Sequence, residues 1–250
     1  MKIIISPAKK MNIENDTMLP VSEPELFEYT TKLYRTLREM EAPELRKLWG
    51  CNEKIAALNY DRLQGLSPDG AASPALLSYE GIQYQYMAPH VFTEKQWEYV
   101  NSHLRILSGL YGILRPLDRV IPYRLEMQAK LMTDGKKNLY EFWEDHIYQI
   151  LVKDENVILN LASKEYSKAI EKYLDPGICY ITCVFGEYQD GKVKVKGTQA
   201  KMARGEMVRW LAETGITKPE EIKGFTGLGY RYSEAESTAD TMVFLKEKEK

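Results

Sequence analysis

Four short apolar runs constrain this chain more than any other feature: "KIII" at residues 2–5, "RILSGLYGIL" at 105–114, "NVILNLAS" at 156–163 and "TMVFL" at 241–245. None approaches the roughly 18 apolar residues of a membrane span. The β-branched runs "KIIIS" and "NVILNLAS" read as buried strands, the first ending at Ser6-Pro7, where proline removes a ladder donor. Between the runs lie helical stretches. "ELFEYTTKLYRTLREM" puts Leu26, Tyr29, Leu33 and Leu37 on one stripe, and "EKQWEYVNSHL" turns Trp97, Val100, Leu104 and Leu107 inward. "PELRKL", "NLYEFWEDHIYQILVK", "KEYSKAIEKYL" and "QAKMARGEMVRWLAETG" read as further helices. Asp190-Gly191, between "GICYITCVFGEY" and "KVKVKG", predicts a hairpin.

Hairpins and crossover helices occur together, so the expected class is α/β (α+β). A mixed sheet surrounded by helices fits better than a parallel doubly wound one. With 250 residues, 44% of them hydrophobic, one domain over 1–250 can bury a core, with a helical subregion at about 24–105. "GLSPDGAASPA" reads as a loop rather than a linker, and the terminal "KEKEK" is expected to fray. Three cysteines without paired spacing point to neither a disulfide framework nor a zinc site. Cys179 and Cys183 share a strand face and read as core. A soluble, cytoplasmic chain is expected.

With 34 basic and 36 acidic residues the net charge is −2, so any anion site must be local. One local patch is "KVKVKGTQAKMARGEMVR", where Lys192, Lys194, Lys196, Lys201, Arg204 and Arg209 face a single acid, Glu206. The three lysines alternate on a strand, and Lys201 and Arg204 lie one helical turn apart. A solvated hairpin face is the bland alternative. Ala203 and Gly205 thin the helix beside the two cations, as a closely approaching ligand backbone would require.

"LRKLWGCNEKIAAL" follows a helix-hairpin-helix form at 45–59, with Leu48, Gly50, Asn52 and Ala56 in the pattern positions. Such a turn aims backbone N–H groups at a phosphate without reading a base, and Lys54 adds charge. Asn52 replaces the second glycine, as the next residue able to adopt the left-handed conformation. An ordinary αα-hairpin is the competing reading. "LSGLYGILRPLDRVIPYRLEMQAKL" packs glycines, prolines and charges into one segment. Arg115, Asp118, Arg124 and Glu126 there make structural ion pairs, face an anionic ligand, or do both. Asp118, Tyr123 and Glu126 serve as orienting groups. No metal-ligand spacing and no nucleophile–base motif occurs, so the residues imply no cofactor, no metal and no named reaction.

"ISPAKKM", "YEGIQYQYM", the central segment, "NLASKEYSKAI" and "AKMARGEMVRW" together resemble the YaaA family of bacterial peroxide-stress proteins across almost the full chain. The resemblance implies a cytoplasmic protein limiting peroxide damage by keeping unincorporated iron low, with DNA binding. It also implies a mixed α/β fold, a helix-hairpin-helix element and a basic cleft. By resemblance Lys9, Lys10, Arg115, Arg124, Lys201, Arg204 and Arg209 contact DNA. Asn52, and Gln128 where a glycine is expected, depart from the family pattern. Three functions follow as alternatives: a monomer holding double-stranded DNA without sequence preference, an enzyme acting on nucleotides or damaged bases through residues 115–126, and an iron-sequestering protein, which has the least sequence support.

Overall fold

The computed structural model describes residues 1–14, 17–71 and 73–247. Of the terminal "KEKEK", residues 248–250 lie outside that range. The strands are β1 (Lys2–Ile5), β2 (Lys10–Met11), β3 (Ser73–Pro74), β4 (Tyr79–Glu80), β5 (Leu104–Ser108), β6 (Gly112–Leu114), β7 (Arg119–Val120), β8 (Val157–Leu161), β9 (Cys179–Gln189), β10 (Lys192–Lys194), β11 (Tyr230–Ser233) and β12 (Thr241–Lys246). The helices are α1 (Phe27–Arg38), α2 (Ala42–Trp49), α3 (Glu53–Gly65), α4 (Ala75–Ser78), α5 (Ile82–Met87), α6 (Glu94–His103), α7 (Leu139–Trp143), α8 (His146–Val152), α9 (Lys164–Glu171) and α10 (Gly197–Thr214).

All four apolar runs are strands of one sheet, in the order β11-β12-β9-β8-β1-β5-β6, with β10 added on β9. Ile3, Ile4 and Ile5 are fully buried, as are Ile158, Leu159 and Leu161 of β8. A strand covered on both faces needs such an unbroken apolar run, because no side of it meets water. The sheet is mixed, as the sequence implies. Its centre is nonetheless parallel: β5, β1, β8, β9 and β12 run together, and β6, β10 and β11 pair antiparallel. The chain steps from β1 to β5 on one side, then returns past β1 to β8 on the other. This reversal makes the gap between the carboxyl ends of β1 and β8 a topological switch point, where the loops diverge and leave a crevice.

The Asp190-Gly191 turn takes positive φ at both residues, 52° and 74°, and joins β9 to β10. Lys192 and Lys194 share that hairpin, whereas Lys196 lies beyond the strand as the N-cap residue of α10. Helix α6 ends at His103, so Leu104 and Leu107 are strand residues. Cys183 is buried as expected; Cys179, at the first position of β9, is exposed and leaves the core reading to Cys183 alone. Residues 42–65 form two helices joined by a tight turn. Gly50 closes α2 with φ 54°. Asn52 does not take the left-handed conformation: its φ is −70°, and its Oδ1 accepts from the Ile55 amide at 2.9 Å. Asparagine serves here as an ordinary N-cap of α3.

Gly205 corrects another expectation. The backbone that comes close to it is the protein's own helix α5, since a Cβ at 205 would lie 2.0 Å from the Gln83 carbonyl oxygen and 3.1 Å from the Met87 amide nitrogen. The small residues of α10 therefore bring α5 and α10 together rather than clearing room for a ligand. Gly205→Ala should destabilise the protein by about 2–3 kcal/mol, since overpacking outweighs the roughly 1 kcal/mol gained in helix propensity. The thermal midpoint should fall by roughly 4–12 °C in a calorimetric or circular-dichroism melt. An unchanged or higher midpoint would contradict the close approach.

Candidate functional site

A cavity of about 420 Å3 opens at the switch point. Four segments build it. The stretch from β1 into β2 brings Ser6 to Lys10, the end of β4 and start of α5 bring Glu80 to Tyr84, the central segment brings Tyr123 to Glu126, and the N-cap and first turn of α9 bring Ser163, Glu165 and Tyr166. Lys201 and Arg204 of α10 complete the wall, held there by the contact at Gly205.

Hydroxyl groups lock these segments together. The Ser163 amide donates to Ser6 Oγ at 2.8 Å, Ser6 Oγ donates to Ser163 Oγ at 3.1 Å, and Tyr84 donates to the Ser6 carbonyl at 3.0 Å. Tyr123 Oη is shared with Tyr79 Oη at 2.8 Å and Ser108 Oγ at 2.6 Å. Burial pushes the Tyr123 phenol up to about 12, so it is a neutral bridge at physiological pH. Gly109 lets the central segment pass beneath β5 and β6: a Cβ there would lie 2.3 Å from the Leu125 carbonyl oxygen.

The wall carries five cations, Lys9, Lys10, Arg124, Lys201 and Arg204, against three carboxylates, Glu80, Glu126 and Glu165. Lys9 pairs with Glu126 at 2.9 Å, Lys10 with Glu80, and Arg124 with Glu126 at 3.3 Å. Lys201 is exposed. Arg204 has neither an ion pair nor a hydrogen bond among the described residues, and desolvation by burial pulls its pKa below the ordinary guanidinium value, with the Cys183 thiol opposing. Three buried donors on this wall lack an acceptor among the described residues: Arg124 Nε, Arg204 Nε and Gln83 Nε2. Such donors forfeit their hydrogen bonds to water without replacement.

Seven residues singled out in the sequence thus meet in one place: Lys9, Lys10, Tyr123, Arg124, Glu126, Lys201 and Arg204. Others lie elsewhere. Arg115 donates to Asp118 through its backbone amide at 2.8 Å and its Nε at 3.0 Å, and Ser22 adds a third donor at 2.7 Å. Asp118 is buried, and burial holds its pKa above the usual aspartate value despite these donors. That half of the central segment staples the loop around Ser22 to the turn at residues 115–118. Lys194 pairs with Asp190, Lys196 with Glu187 at 2.8 Å and Arg209 with Glu213 at 2.8 Å. Lys192 and Lys54 are exposed. Gly50 borders a separate groove between α2 and α3, with Arg46 and Lys47. Among the described residues no group of three or more His, Cys, Asp or Glu could hold a metal ion.

Ser6, Glu80, Gln83, Tyr84, Ser163, Glu165 and Tyr166 were not anticipated from residue chemistry. All lie within "ISPAKKM", "YEGIQYQYM" and "NLASKEYSKAI", so the motif strings themselves were the available signal.

Glu165 gives the cavity a pH signature. Desolvation raises its pKa, opposed by the Gln128 backbone amide and reinforced by the charge of Glu126. The native state therefore holds its proton more tightly than the unfolded chain. Stability falls as pH rises from the ordinary glutamate value of 4.5 through the raised native value. Glu165→Gln should melt higher than wild type at pH 7–8, with the gain vanishing near pH 4. Because the side chain is half-exposed, screening keeps the effect below about 1 kcal/mol. A gain that grows on acidification would contradict this assignment.

Residues 1–236 match the family described as peroxide stress protein YaaA. UPF0246 proteins are similar over 98% of both chains: 56% identical in Desulfitobacterium hafniense, and 50% identical in Pediococcus pentosaceus and Agathobacter rectalis. No helix among the described residues is long and apolar enough to cross a membrane. A match of this extent, carried by motifs that build one cavity, makes the chain a member of the YaaA family of peroxide stress proteins.

Proposed function

We propose that this protein acts in the peroxide stress response by holding duplex DNA through its phosphates, limiting iron-dependent oxidative damage to the strand. The observation that carries the reading is the convergence of Lys9, Lys10, Arg124, Lys201 and Arg204 on one concave site in a chain whose net charge is only −2. Exposed Lys9, Lys10 and Lys201 form the rim, where a backbone phosphate reaches them without entering. Phosphate contacts of this kind position a duplex and carry little sequence information. Exposed Lys192 and Lys54, and the turn at Gly50 and Asn52, lie outside this cavity and would contribute as separate phosphate contacts. Lys194, Lys196 and Arg209 pair with carboxylates away from the cavity, whereas Lys9 and Lys10 pair with carboxylates of its own wall, which a phosphate would displace.

A second reading has its own support. The cavity wall carries both Glu126 and Glu165, and their environments differ: Glu126 faces Lys9 and Arg124, whereas burial raises the pKa of Glu165. Two carboxylates in unlike surroundings on one cavity wall fit an enzyme acting on nucleotides or damaged bases.

Fluorescence anisotropy with a labelled duplex tests DNA binding. Affinity should fall steeply with salt, and the double variant Lys9→Ala/Lys201→Ala should flatten the log–log salt slope by roughly 1–2, one unit per lost phosphate contact. Absence of binding at low salt, or an unchanged slope in the variant, would overturn the reading.

A further inference from the structure

We propose that the cavity between β1 and β8 is a binding site for a single nucleoside monophosphate unit, its phosphate and base acceptors satisfied by Gln83, Arg124 and Arg204. This rests on the reading of the same site as phosphate-binding, and it moves the specific contact from the rim to the interior.

Gln83 is the observation that separates this from a surface phosphate site. It is 6% exposed, it lines the cavity, and its amide nitrogen has no acceptor among the described residues. Rim lysines satisfy themselves with water, whereas a buried amide and two buried guanidinium Nε–H groups do not. All three orphans are donors, so the missing partner is rich in acceptors. Helix α9 adds a fourth indication. Its N-cap residue Ser163 makes no side-chain cap, and its hydroxyl is engaged by Ser6 instead. An uncapped helix start beside cationic side chains is suited to a phosphate oxygen.

The rest of the wall fits a nucleoside rather than a bare ion. Tyr84, Tyr123, Tyr166, Ile82 and Leu125 supply apolar and aromatic surface. Glu126 and Glu165 supply acceptors for a base amine. At about 420 Å3 the cavity falls within the range of small-molecule sites, roughly 300–1,000 Å3, and is far too small for a duplex. The same chemistry can come from a free nucleotide or from one nucleotide turned out of a strand.

Two arms on the full-length protein separate these sources. In the first, calorimetric titration compares inorganic phosphate, deoxyadenosine and deoxyadenosine 5′-monophosphate. The monophosphate should bind best, and Gln83→Met should weaken it by about tenfold. The free Gln83→Met protein should melt no lower than wild type, because an unsatisfied donor is removed; Arg204→Met provides a second variant with the same expected loss of binding. In the second arm, a duplex carrying 2-aminopurine reports a turned-out base as a rise in fluorescence, while anisotropy reports binding. A fluorescence rise lost in Gln83→Met supports capture from the strand; monophosphate binding without such a rise supports the free nucleotide. Phosphate binding as tightly as the monophosphate would overturn the proposal. Anisotropy binding with neither a fluorescence rise nor monophosphate binding would also overturn it, leaving DNA binding intact, whereas monophosphate binding without any duplex binding would remove the DNA reading alone.

Discussion

Burial of Ile3, Ile4 and Ile5 between β5 and β8 is the constraint on which the rest of the structure depends. A strand paired on both edges and covered on both faces cannot shift register without exposing its apolar set. Its carboxyl end is thereby fixed beside that of β8, and the loops leaving the two strands must part. The Ser6–Ser163 contact spans this parting and holds it at a defined width. Charged groups are then brought to the gap from segments far apart in sequence, through close backbone contacts at Gly109 and Gly205 that admit no side chain.

The site is arranged against its own stability. Among the described residues three desolvated donors have no acceptor and Arg204 has no counter-ion, and Glu165 is held above its ordinary pKa by burial. Each arrangement costs free energy in the unliganded protein, of the order of 1–3 kcal/mol for an unsatisfied donor. Preorganised donors of this kind lose nothing to reorganisation when a ligand arrives.

Much of the sheet was legible because a strand buried on both faces leaves an apolar run, and Asp190-Gly191 announces its own turn. The extent of parallel pairing was less visible, since the hairpin signals are local while the return past β1 depends on contacts across the whole chain. Among site residues, Lys9, Arg124, Lys201 and Arg204 were legible as charges inside dense motifs. Gln83 was not legible by its chemistry: beyond its place in "YEGIQYQYM", a neutral amide in a short helix stands out only once α10 packs on α5. Gly205 marked a need for space without naming the occupant, which is a backbone of the same chain. Arg115 and Arg124 look alike in sequence, yet Asp118 holds one in a structural staple while the other lines the cavity.

The central claim is that Arg124 and Arg204 face a ligand through their Nε nitrogens, which have no acceptor among the described residues. Their Nε–Hε resonances in a 15N-correlated spectrum, assigned with Arg124→Lys and Arg204→Lys, report this directly during titration with deoxyadenosine 5′-monophosphate. Both resonances should move saturably downfield with a common dissociation constant. Resonances that stay in place while surface arginines such as Arg209 respond would contradict the account.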